Sequence, residues 1–179
     1  MTPGLRKFAL SIHLTASVGW IGAVIAYLAL GITAMTSQDS QTLRAAWFSM
    51  QLIGWDVIVP LAVTSLVTGI IMSLGTAWGL FRHYWVLFSL VLTIFAVVVL
   101  LQHMQDVNYY AAIAIGTPAA TTGGLRGELL HASLGLLVLL VIQVLNIYKP
   151  RGMTAYGWRK QQEQRAGRTA SGAAVGEGS

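Results

Sequence analysis

Four histidines, three acids near them and no cysteine set out the chemistry open to this chain. His103 and Asp106 are three residues apart, as are Glu128 and His131, so each pair shares one face of a helix if a helix runs there. Together they offer two imidazoles and two carboxylates, a donor set suited to zinc or Cu(II) rather than to Cu(I), which prefers sulfur. Imidazoles alone suit another group. A b-type haem takes one or two histidines in an apolar slot between helices, and His103 with His131 is the natural pair. Gly135, one turn beyond His131, leaves space for a flat macrocycle. His13 is a second candidate ligand at a different level, and Asp56, in an otherwise apolar run, is a candidate proton or ion relay. The absence of cysteine removes disulfides, thiolate metal sites, iron–sulfur clusters and covalent haem attachment.

The elements that must position these residues are apolar helices. The 179 residues are 55% hydrophobic and 9% charged, far below the roughly 25% charge of soluble domains. Four runs reach the ~20 residues that cross a bilayer, at about 8–35, 45–74, 84–104 and 129–148. The expected fold is all-α: a polytopic four-transmembrane-helix bundle over residues 1–150. A basic cytoplasmic tail over 151–179 follows, largely disordered beyond Arg165.

Arg6 and Lys7 precede the first run, and Lys149, Arg151, Arg159, Lys160, Arg165 and Arg168 follow the last. The positive-inside rule places both termini in the cytoplasm. The same basic tail explains the net charge of +5 by anionic lipid, without nucleic acid. Gln105 to Gly127 reads as the longest loop. The first run is too long for the apolar core of a signal peptide and is expected to be retained.

Packing faces are visible as well. His13, Ala16, Trp20, Ala23 and Tyr27 form one stripe of the first helix. Ser65, Gly69 and Ser73 form a small-residue ridge on the second, of the kind that lets helices approach closely in lipid. Pro60 conflicts with the carbonyl of Asp56 and should kink that helix. By depth, His13, Thr68, Ser73, Ser89, Gln143 and Asn146 belong to one polar layer. His103, Asp106, Glu128 and His131, with Asp56 below, belong to another. His83 lies ~30 Å along a helix from His103, too far to share a cofactor, and reads as interfacial. Trp47, Trp78, Trp85, Tyr109 and Trp158 read as an aromatic belt.

His13-x6-Trp20-x-Gly22 resembles the first helix of two bacterial families, the copper-resistance D proteins and the membrane-embedded protoporphyrinogen oxidases. Across Met1 to Gly157 the chain is similar to a family of short bacterial integral membrane proteins of uncharacterised function. The resemblance rests on Ile53-Gly-Trp55-Asp-Val-Ile-Val-Pro60, Gly79-Leu-Phe-Arg82-His83-Tyr-Trp85 and Tyr148-Lys-Pro-Arg-Gly152. These likenesses imply a multi-pass protein of the bacterial inner membrane. The oxidase resemblance carries over at His13, which that family pairs with a third-helix lysine; here Ser89 stands at the matching place. Haem b or porphyrin handling is thus the leading expectation, with His13, His103 and His131 as ligands. Extracytoplasmic copper or zinc handling by His103, Asp106, Glu128 and His131 is the alternative. A third reading is a scaffold or accessory subunit that meets a membrane partner or its own copy through the small-residue ridges.

Overall fold

The computed structural model describes residues 2–75, 80–117, 122–150 and 152–176, those from 167 onward by backbone alone. The expectations for Trp78 and for the turn around 118–121 lie outside the described residues. Helix α1 spans Pro3–Thr36, α2 Ser40–Ile53, α3 Val59–Gly75, α4 Tyr84–Gly116, α5 Thr122–Tyr148 and α6 Ala155–Gly176. A π-helical turn, Gly54–Ile58, joins α2 to α3. They form one continuous element of 36 residues, and four helices are long and apolar enough to cross a membrane. No strand occurs among the described residues. Elements α1 and α4 face each other across the bundle, and each packs on both the α2–α3 element and α5.

Several helices outrun the expected spans. With 34, 36 and 33 residues, the first three elements are each ~50 Å long, against ~30 Å of hydrocarbon. The uncharged stretches within them run over 8–36, 57–75 and 84–105. The length beyond the hydrocarbon extends the bundle at one end. Residues 105–116 are therefore helix, not loop, because Met104, Val107, Ala111 and Ala114 bury one stripe against Leu43, Ala46, Trp47 and Met50 of α2. Trp47 is fully buried and stacks on Tyr110 with ring centroids 5.2 Å apart. It belongs to this core and not to an aromatic belt. Trp85 is also buried, whereas Tyr109 and Trp158 are exposed as a belt requires.

The π turn is the outcome of Pro60. Proline offers no N–H to the carbonyl of Asp56, and the preceding turn widens so that the Val59 N–H bonds to the Gly54 carbonyl. Asp56 itself is exposed, contrary to the inward-facing acid expected. Met50, Gly54, Ile58 and Ala62 carry the buried stripe in steps of four, and Asp56 falls midway between two of them, on the opposite face.

Helix ends are set by local chemistry. Asp39 caps α2, accepting from the Thr42 hydroxyl at 2.8 Å, the Thr42 amide at 2.9 Å and the Gln41 amide at 3.3 Å. These bonds, the Thr42 hydroxyl foremost, hold its carboxyl below its usual value of 3.8. The cap's contribution is fully present above that value and is lost as pH falls through the lower folded-state value. Asp39→Ala is expected to speed amide exchange at Gln41 and Thr42 several-fold at neutral pH, with the α4 amides unchanged; equal protection in both proteins would contradict the cap. Lys149, in the left-handed region at φ 45°, ends α5 before Pro150.

The tail is helical where disorder was expected. Thr154 anchors its start, accepting from the Gly157 amide and donating to the Phe81 carbonyl. Its own amide donates to the Arg82 carbonyl at 3.0 Å. Gly157 is required there, since a Cβ would lie 2.5 Å from the Arg82 carbonyl oxygen. Gln161, Gln162, Glu163 and Gln164 are favourable helix formers, and Lys160 pairs with Glu163 at 3.2 Å.

Candidate functional site

Two polar sites lie at different levels of the bundle. The first is built on His13. The Ser65–Gly69–Ser73 ridge of α3 meets the His13 face of α1, and the two helices close tightly enough for the Ser17 and Ser65 hydroxyls to bond at 2.8 Å. His13 Nδ1 lies 3.0 Å from the Ser65 carbonyl oxygen and 3.1 Å from the Thr68 hydroxyl. A carbonyl only accepts, so Nδ1 carries the proton. The Thr68 hydroxyl donates to the Thr64 carbonyl at 2.6 Å, which leaves its lone pair for the same Nδ1–H. In the neutral ring Nε2 therefore holds the lone pair, and it has no hydrogen-bond partner among the described residues. Gly69 gives the ring its place: a Cβ there would stand 3.1 Å from His13 Cε1.

His13 lines a cavity of about 320 Å³ between the helices. The expected polar layer converges on it: Ser73, Ser89, Gln143 and Asn146 share the lining with Trp20 and Trp85. The Ser89 hydroxyl is buried without a partner among the described residues. A buried hydroxyl left unbonded costs about 1–3 kcal/mol, and in the cavity wall a water or a polar ligand group would satisfy it.

The second site is built on Glu128. Its side chain is 2% exposed, and its Oε2 accepts from the Tyr27 hydroxyl at 2.8 Å and lies 2.7 Å from His103 Nε2. The His103 ring stacks face to face on His131, with centroids 3.7 Å apart and planes 2° from parallel. Asp106 points away and is exposed.

This geometry changes two expectations. Rings in van der Waals contact leave no layer for a macrocycle between them, and His103 Nε2 is already engaged by Glu128. The pair is thus not arranged as two axial ligands of one haem. Nor do His103, Asp106, Glu128 and His131 converge as a metal site: no group of three or more His, Asp or Glu able to hold a metal ion occurs among the described residues. Glu128 turns inward to Tyr27 while Asp106 turns outward.

No family model matches the chain, and no curated protein and no solved structure is similar to it. Function must be argued from these two sites.

His83 sits apart, as expected. It precedes α4, bridges to Met153 and lies 6.4 Å from the Trp85 ring. Three polar residues had no role in the sequence reading. Tyr27 was visible only as a member of the α1 stripe. Ser17, one turn after His13, was not among the residues of that stripe. Asn108 lay in the supposed loop, yet its side-chain oxygen accepts from Gln51 and Trp55, both at 2.9 Å.

Proposed function

We propose that the chain is a multi-pass protein of the bacterial inner membrane, both termini cytoplasmic, that holds haem b or a related porphyrin in the His13 cavity. The four apolar helices and the basic residues at the two ends of the chain support the placement. Exposed Phe8, Phe88, Phe95 and Leu134 suit lipid.

The observation that carries the ligand is the state of His13. An imidazole whose Nδ1–H is fixed by a backbone carbonyl, with Nε2 free, is in the tautomer and orientation that metal-ligating histidines adopt. Around it the lining is mostly apolar, of a size at the lower end of the ~300–1,000 Å³ typical of small-molecule sites. Ser89 supplies an unsatisfied hydroxyl, and Gln143, Asn146 and Lys149 are suited to polar substituents. A haem held there would supply one-electron chemistry. The residues' own part is to fix the ring, exclude lipid and meet the polar edge. With Ser89 where the oxidase-like families carry lysine, the reading stops at binding and electron handling and does not extend to that oxidation.

The test is an absorption spectrum of detergent-purified protein, oxidised and dithionite-reduced, from cells supplied with haem precursor. The expected result is a Soret band with sharp reduced α and β bands, lost in His13→Ala and kept in His131→Ala. A flat wild-type spectrum, or bands that survive His13→Ala in a folded protein, overturns the proposal.

A further inference from the structure

We propose that Tyr27, Glu128, His103 and His131 form a proton-binding site that exchanges with the surroundings of the bundle through His131. The site is independent of the His13 cavity: Tyr27 stands 14 residues along α1 from His13, ~21 Å.

The argument begins with the buried carboxyl. A carboxylate in an apolar interior needs a proton, or a cation in contact with hydrogen bonds to its oxygens. Tyr27 gives a hydrogen bond but no charge. Among the described residues, His103, at 2.7 Å, is the one group in contact with Glu128 able to become a cation. Arg126, two residues away on α5, is exposed. The 2.7 Å contact between Glu128 Oε2 and His103 Nε2 is one that a single proton can bridge.

His131 sets the capacity of the site. Its ring lies flat on that of His103, an arrangement in which one ring can be charged beside a neutral one but two like charges repel at short range. A second proton must enter against the first, so the cluster titrates as a unit rather than as three separate groups.

The charged and titratable groups facing it from each packed element are few. Helix α1 contributes Tyr27. Helix α4 contributes His103 and, one turn on, Asp106, which is exposed. Helix α5 contributes Glu128 and His131. The α2–α3 element contributes none, its Asp56 being exposed.

Access is built in. Tyr27 and Glu128 are buried, the His103 side chain is 12% exposed, and His131 is partly exposed. Both histidines also stand near the ends of uncharged stretches, 84–105 on α4 and 129–148 on α5, each close to the acid that bounds its stretch, Asp106 or Glu128. The ligand is a proton, and its uptake raises the charge of the cluster by one with no electron transferred.

The experiment is an imidazole ¹⁵N NMR titration of the full-length protein in lipid nanodiscs from pH 5 to 9. The proteins are wild type, Glu128→Gln and His131→Ala. The four histidines are assigned by single substitution. The expected result is coupled titration: the His103 midpoint moves by about one pH unit or more in each variant, while His83 does not move. A His103 midpoint equal in all three proteins overturns the proposal. Should Glu128→Gln fail to fold, Tyr27→Phe removes only one hydroxyl from the same carboxyl oxygen. The carboxyl band seen by infrared difference spectroscopy on a pH step must then shift. Its absence in wild type, or an unchanged band in Tyr27→Phe, counts against the site.

Discussion

Glu128→Ala is expected to lower stability by about 3–5 kcal/mol, read from denaturation of the detergent-solubilised protein by circular dichroism. The loss has two parts. The Tyr27 hydroxyl and the His103 imidazole both lose their partner, Glu128 Oε2, and each buried polar group left alone costs about 1–3 kcal/mol. The space of the missing side chain adds to this, because its surroundings on α1, α4 and α5 are already packed. Glu128→Gln keeps an oxygen for Tyr27 and the volume, and should lose distinctly less. If the alanine and glutamine variants were equally stable, the hydrogen-bonded carboxyl would not be what joins these helices.

Trp47→Ala is expected to be comparable, about 3–5 kcal/mol, as for other buried tryptophans. Trp47 has no exposed surface and lies with Met50, Met104 and Val107 in the core of the extended end of the bundle. There α2 is amphipathic, with Leu43, Ala46, Trp47 and Met50 on its buried side and Ser40, Gln41 and Arg44 off it. The substitution opens a cavity between α2 and α4 and removes the ring stacked on Tyr110. Trp47→Phe should recover part of the loss. Amide exchange should rise first across Leu43 to Met50 and Val107 to Ala114. A change confined to α5 would show that this core had been wrongly placed.

The two sites differ in how far residues alone reveal them. At the His13 site the pattern goes most of the way. The stripe of His13 and Trp20 and the Ser65–Gly69–Ser73 ridge are each legible as close-packing faces, since small residues in helical register allow backbone approach; that the two meet is decided by the structure. Counting residues from one end places Ser89, Gln143 and Asn146 at the same depth, and the structure gathers them around one cavity. That Pro60 would disturb its helix was legible for a similar reason, since a missing N–H acts within one turn and needs no distant partner; that the disturbance is a π turn was not.

The Glu128 site shows the opposite. Both His-x-x-Asp and Glu-x-x-His lie on helices, and depth alone groups them. Yet the carboxyl turns to Tyr27, 101 residues away in the chain, and Asp106 turns out. Asp56, read as an inward acid, lies on the outer face, and Trp47, read as a boundary residue, fills a core.

The four-helix architecture, the small-residue faces, the distortion at Pro60 and the depth of each polar group follow from composition and periodicity. They are local or additive along the chain. The stacked imidazoles, the partner of Glu128, the exposure of Asp56 and the length of α4 beyond Met104 depend on how each helix is rotated about its axis and on what it then meets. That rotation is settled by packing all four helices at once: a turn of one residue is ~100°, enough to exchange a metal ligand for an exposed acid.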